Sequence, residues 1–153
     1  MSRPGMPTVV LFLFAVVGGG LVIGATNMPG AWYQGLVKPP FTPPNWLFAP
    51  AWTLLYALIA LAGARAFQRR VSTPALFRLW LGQMALNFAW SPAVFTLHSL
   101  TLGLVVILAL LTAIGAFIHL AWKTDRTAAL LFLPYAGWVA LATYLNAGLV
   151  ALN

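Results

Sequence analysis

Side chains able to do acid, base or metal chemistry are scarce in this chain of 153 residues. Cysteine is absent, which excludes disulfides, thiolate nucleophiles and Cys-based zinc or iron–sulfur sites. Asp125 is the only acid, so paired-carboxylate catalysis lacks its second group. His98 and His119 cannot close a zinc site by themselves. Either can ligate a haem iron axially; polar residues at a membrane interface are the simpler reading. No Walker or Rossmann glycine pattern is present. The sequence therefore assigns no catalytic residue and no metal ligand.

Aromatic side chains are plentiful instead, with 7 Trp, 10 Phe and 4 Tyr. An indole offers a large apolar face and one N–H donor. Trp52 and Tyr56 are one helical turn apart. Trp138, Ala142 and Asn146 recur every fourth residue, as do Gln83, Asn87 and Ser91. On helices each set shares one face. Two Trp on facing helices can clamp a flat aromatic ring, with Asn87 adding a donor and an acceptor. The plainer alternatives are lipid-facing indoles and interhelical hydrogen bonds, the latter worth about 0.6 kcal/mol each. Ala142 either leaves room for a ligand or serves as a helix contact.

The elements that must position these groups follow from composition. The chain is 62% hydrophobic and 6% charged, with mean hydropathy +0.93. A soluble domain carries about 25% charged residues, so a bilayer is the natural solvent. Apolar runs of membrane-crossing length fall at 7–26, 46–67, 75–96, 99–122 and 127–149. The expected fold is an all-α membrane protein, a single five-span domain over 1–153. The first run is too long for a signal core and is read as retained.

Charge orients the spans. Arg3, Arg65, Arg69, Arg70, Arg78, Lys123 and Arg126 fall on the N-terminal side, and only Lys38 falls on the other. In a bacterial inner membrane the positive-inside rule then places the N-terminus of this multi-pass chain on the cytoplasmic side; the rule does not carry over to an outer membrane or a mitochondrion. The basic residues are too dispersed among apolar runs for nucleic-acid binding.

The connection 27–45 is long and rich in Pro, Gly and Trp. Its prolines exclude a long helix there. Trp32, Tyr33 and Trp46 suit the headgroup zone as an anchor belt; a semi-rigid lid over the bundle mouth, including Pro43, explains the length better. Asn45 is read as the N-cap of the second span. Pro92 and Pro134 sit inside spans, freeing the carbonyls of Phe88 and Leu130, and either kink their helices or are simply tolerated. Ala85, Ala89 and Ala93 form a small-xxx-small ladder, and Gly20 with Gly24 a GxxxG; both types bring helices close, within one chain or between two.

The segment Trp32-Tyr33-Gln34-Gly35-Leu36-Val37-Lys38-Pro39-Pro40-Phe41-Thr42-Pro43-Pro44-Asn45-Trp46 is followed by Pro50-Ala51-Trp52-Thr53-Leu54-Leu55-Tyr56. Asn87-Phe88-Ala89-Trp90-Ser91-Pro92, Leu133-Pro134-Tyr135-Ala136-Gly137-Trp138 and Ala142-Thr143-Tyr144-Leu145-Asn146 come later, in that order. Together these blocks resemble the TspO/MBR family, the tryptophan-rich sensory and translocator proteins. The resemblance covers nearly the whole chain from about Trp32.

It implies a five-helix bundle, often a homodimer, with a cavity beneath the first loop that binds porphyrins, sterols and synthetic aromatic ligands. It places Trp52 and Trp138 in that cavity and matches Asn87 to a ligand-contacting Asn. The candidate ligand-binding set is Trp32, Tyr33, Pro43, Trp52, Tyr56, Asn87, Trp90, Trp138 and Ala142. The candidate dimer face is Ala85, Ala89 and Ala93. No basic residue follows Tyr144, so the family's C-terminal sterol pattern is broken and sterol is a doubtful partner.

The expected function is an integral membrane receptor or carrier for porphyrins of the protoporphyrin IX class and related hydrophobic aromatics. The expected role is sensory or regulatory in tetrapyrrole metabolism. The porphyrin is a ligand, and no cofactor is required. The alternatives are a light- and oxygen-dependent porphyrin-degrading enzyme using the cavity tryptophans, and a structural membrane partner with an incidental cavity.

Overall fold

The computed structural model describes residues 3–153. Its helices are α1 (Met6–Thr26), α2 (Ala31–Gln34), α3 (Asn45–Gln68), α4 (Pro74–Ser91), α5 (Leu100–Thr124) and α6 (Arg126–Leu152), with a π-helical turn Pro92–Thr96 after α4. No strand occurs among the described residues. Four helices, α1, α3, α5 and α6, are long and apolar enough to cross a membrane. α4 carries Arg78, Gln83 and Asn87, which lower its hydropathy, and is not among them. The chain is an all-helical membrane protein.

Local chemistry sets the boundaries. Pro7 and Pro74 occupy first-turn positions of α1 and α4, where no N–H is needed. The Ser99 hydroxyl accepts from the N–H of Leu102 at 3.1 Å and opens α5. The Asp125 carboxylate accepts from Ala128 N–H at 3.2 Å and opens α6. Asn45 is not an N-cap: it is the first helical residue of α3, Pro44 takes the cap position, and no side chain caps that end. At the end of α1 the Asn27 amide donates to Ile23 O at 3.0 Å and the Thr26 hydroxyl to Val22 O at 2.7 Å. Carbonyls left over at a helix end are satisfied in this way.

Proline acts differently at its three internal sites. Pro50 and Pro134 lie within continuous α3 and α6. Pro92 ends α4 and begins the π turn, where the N–H of Leu97 donates to Pro92 O at 2.9 Å. A π turn spends one extra residue per turn and shifts every later side chain around the axis. The alanine ladder breaks there. Ala85 and Ala89 are exposed, but Ala93 is buried at 4% exposure.

α1 packs on α3, α3 on α6, α6 on α5 and α5 on α4. Small residues of α3 allow close approach: Ala60, Ala62, Gly63, Ala64 and Ala66 are all buried. A Cβ at Gly63 would lie 2.4 Å from the Trp80 ring. Trp80 donates its indole N–H to Ile59 O at 2.9 Å and lies against Phe12 and Phe77. It is a core residue at 5% exposure. The GxxxG of α1 does not act as a unit. Gly20 is buried against the Tyr56 ring, where a Cβ would be 2.4 Å away, while nothing approaches Gly24.

The lone acid ties one end of the bundle together. Asp125 is 4% exposed and accepts from Arg65 Nη2 at 2.9 Å and Arg69 Nε at 3.0 Å. Burial raises the carboxyl pKa, but hydrogen bonds from Arg65, the Ala128 N–H and Arg69, with the Arg65 charge, outweigh it, and the net pKa is lowered.

Candidate functional site

Three helices, α3, α4 and α6, bring several of the candidate binding residues together. Trp52 and Tyr56, adjacent turns of α3, have ring centroids 5.3 Å apart. Trp138 of α6 meets Trp52 at 6.4 Å with the rings at 87°. Phe48, one turn earlier on α3, meets Trp138 at 5.6 Å edge-to-face. Phe88 of α4 meets Tyr56 at 6.2 Å. Edge-to-face pairs at these separations are attractive. Trp52, Tyr56, Trp138 and Ala142 are all half-buried against the apolar core. Neither the Trp52 nor the Trp138 indole N–H donates a hydrogen bond among the described residues.

Beneath the rings lies a chain of hydrogen bonds. The Tyr56 hydroxyl donates to Asn87 Oδ1 at 3.1 Å. Asn87 Nδ2 donates to the Tyr135 hydroxyl at 2.7 Å. The Tyr135 hydroxyl donates to Gln83 Oε1 at 2.8 Å. Gln83 and Tyr135 are fully buried and Asn87 is 5% exposed. No buried side-chain polar atom lacks a partner among the described residues, as expected where lost hydrogen bonds are costly.

Trp90 belongs to a neighbouring group. Its indole donates to Asn146 Oδ1 at 3.0 Å, and Asn146 Nδ2 donates to Leu100 O at 2.9 Å. Gly103 makes room for this group: a Cβ there would lie 2.3 Å from Val94. The Trp90 ring meets Phe95 at 5.6 Å, and Phe95 meets Tyr33 at 5.3 Å.

Residues 27–45 are held at several points. Trp32 stacks on His98, 4.4 Å apart and 11° from parallel. His98 takes a left-handed backbone, φ 52°, in the turn before α5. Thr96 donates to Asn27. The Lys38 ammonium lies 4.7 Å over the Tyr33 ring and donates to the carbonyls of Tyr33, Gln34 and Leu36. Burial raises the Tyr33 phenol pKa. On the opposite side α6 holds the prolyl stretch. Tyr144 donates to Pro40 O at 2.8 Å, and Pro39 fits against Gly148. Pro43 is half-buried in the run before α3, whereas Trp46 is 72% exposed.

The structure therefore joins Trp52, Tyr56, Asn87 and Trp138 directly and links Trp90 to Tyr33 through Phe95. Trp32 is engaged elsewhere, on His98. Ala142 and Pro43 lie near these elements without a directed contact. Sequence reasoning missed Tyr135, Phe48, Phe88 and Phe95. Tyr135 carried one signal: three residues before Trp138, it is a hydroxyl within an apolar run.

Comparison with known proteins agrees with the blocks that occupy this region. The model of the TspO/MBR family matches residues 9–152. Protein CrtK of Rhodobacter capsulatus is 40% identical over 134 residues, 85% of this chain and 83% of that protein. The tryptophan-rich protein TspO of Archaeoglobus fulgidus is 44% identical over 126 residues, 80% of each chain. The tryptophan-rich sensory protein of Cereibacter sphaeroides is 35% identical over 143 residues, 94% of this chain and 90% of that protein. With its family pattern matched from α1 to the end of α6, this chain belongs to the TspO/MBR family.

Proposed function

We propose that this protein binds porphyrins of the protoporphyrin IX class, and related hydrophobic aromatics, between α3 and α6, and that it serves as a membrane receptor or carrier with a sensory or regulatory role. The observation that carries this reading is the perpendicular Trp52–Trp138 pair, 6.4 Å between centroids, with both indole N–H groups unspent. A porphyrin needs aromatic surface and a few donors for its polar edge. Both are available here, and Tyr56, Asn87, Trp90 and Ala142 complete the walls. The segment 27–45, with Trp32, Tyr33 and Pro43, acts as the lid. The likeness to the tryptophan-rich sensory protein of Cereibacter sphaeroides supports the sensory role.

In this reading α4 and its π turn form a fifth span, and the chain is one five-span domain. The chain spans a bacterial cell membrane with its N-terminus on the cytoplasmic side. The meeting of Arg65 and Arg69 with Asp125, between Lys123 at the end of α5 and Arg126 at the start of α6, supports one basic end. Two copies associate through α4, where Ala85 and Ala89 are exposed and nothing approaches Gly82.

The test is a fluorescence-quenching titration with protoporphyrin IX in nanodiscs. Saturable quenching that is lost in the double variant Trp52→Phe/Trp138→Phe supports the site. Quenching that is linear in porphyrin and insensitive to both substitutions refutes it.

A further inference from the structure

Asn87 spends its carbonyl on Tyr56 and an N–H on Tyr135, both inside the bundle. Which end of the amide faces Tyr56 is a matter of proton accounting. A phenol has one proton to donate. Tyr135 gives its proton to Gln83 Oε1 and turns a lone pair toward Asn87. Asn87 must then present its NH2 to Tyr135, which leaves its carbonyl for Tyr56. The Tyr56 hydroxyl is thereby fixed as a donor, and its ring is held 5.3 Å from Trp52. Gly20 closes the other side of the ring, where no Cβ fits.

From this we infer that Tyr135, a fully buried residue that does not touch Trp52 or Trp138 by any ring contact, is a positioning residue for the binding site, acting through Asn87 and Tyr56 on Trp52. The role rests on the proposed porphyrin reading for its consequence in affinity. The geometry of the relay does not depend on that reading. Gln83 is the anchor of the relay, because its oxygen decides where the Tyr135 proton points.

The experiment compares wild type, Tyr135→Phe, Tyr56→Phe, the double variant Tyr135→Phe/Tyr56→Phe, and Gln83→Leu/Tyr135→Phe. Phe preserves the shape of Tyr135, and Leu at Gln83 removes the acceptor that Tyr135→Phe would strand. Three readouts are taken: thermal stability, protoporphyrin IX affinity, and the near-ultraviolet circular dichroism that Trp52 contributes, obtained by subtracting the Trp52→Phe spectrum in each background.

Tyr135→Phe is expected to change the Trp52 spectrum and to weaken protoporphyrin IX binding about tenfold. Gln83→Leu/Tyr135→Phe is expected to regain part of the stability, because the Asn87 N–H still lacks its acceptor, without regaining affinity. In the Tyr56→Phe background, Tyr135→Phe is expected to cost no further affinity. An unchanged Trp52 spectrum, recovery of affinity together with stability, or additive losses at Tyr56 and Tyr135 would each overturn the positioning role. If wild type fails to bind protoporphyrin IX, the functional reading falls, and the Trp52 spectrum still decides the relay.

Discussion

Asn153 and Val37 pair through both of their polar ends. The Asn153 side-chain oxygen accepts from Val37 N–H at 2.9 Å, and its NH2 donates to Val37 O at 2.9 Å. A side-chain amide here does the work of a neighbouring backbone, and it ties the segment 27–45 to the end of α6. Tyr144 on Pro40 and Gly148 against Pro39 extend the same attachment.

Replacing Asn153 by Ala should therefore loosen the segment while leaving the bundle intact. Two exposed hydrogen bonds contribute about 1–2 kcal/mol together. Amide hydrogen exchange at Leu36, Val37 and Lys38 should accelerate by roughly 5- to 30-fold, with α5 and α6 interiors unchanged. Saturation with protoporphyrin IX should slow exchange in 27–45 in wild type, as a lid requires. Exchange unaffected by the ligand would remove the lid from the functional reading.

Trp52→Ala and Trp138→Ala should each weaken porphyrin binding by about 5- to 150-fold, the cost of truncating a buried aromatic contact of roughly 1–3 kcal/mol. Trp122 is the suitable control. It is 44% exposed and sits beneath Arg126, 4.9 Å from the ring. Equal losses at all three positions in a titration would show that the indoles are general packing.

Trp80 behaves differently from the other tryptophans. It fills the notch over Gly63 and satisfies the Ile59 carbonyl. Trp80→Ala should lower stability by about 3–5 kcal/mol, seen as a lower unfolding temperature in detergent. Gly63→Ala should destabilise the same contact from the other side. A Trp80→Ala protein as stable as wild type would contradict the close packing of α3 on α4.

Asp125→Asn removes the charge that Arg65 and Arg69 share and weakens the α6 cap. The expected loss is about 1.5–3 kcal/mol, the scale of hydrogen bonds to a charged group. Because the folded-state pKa is lowered, the carboxylate stabilises the fold above its unfolded pKa, and that contribution fades as pH falls through the folded value. Wild type should lose stability on acidification below the ordinary carboxylate range, and Asp125→Asn should show a flatter profile there. Parallel profiles would place the acid sensitivity elsewhere.

Much of the architecture is local and was therefore open to reading in one dimension. A helix in a bilayer satisfies its own backbone, so apolar runs mark helices directly. The runs at 7–26, 46–67, 99–122 and 127–149 became α1, α3, α5 and α6 with shifts of a few residues at the ends. Trp52 beside Tyr56 followed from the helical period, as did Gln83 and Asn87 on one buried face.

Contacts between elements obey no such period. Ala93 is buried while Ala85 and Ala89 stay exposed, and the change falls where α4 gives way to the π turn at Pro92. Gly20 was recruited by Tyr56, thirty-six places further along the chain, and not by Gly24. Trp32 found His98, and Asp125 found Arg65 and Arg69. Tyr135 shows the limit most clearly. Its place in an apolar run three residues before Trp138 marks it as a polar group in a span but names no partner, and its part in the Gln83–Asn87–Tyr56 relay exists only where α3, α4 and α6 converge. The sequence by itself determined which segments become helices and which faces carry polar groups, since those depend on neighbours three or four residues away. The tertiary structure decided which partner each buried donor meets, because a polar group removed from water must be satisfied by whatever the packing brings within about 3 Å.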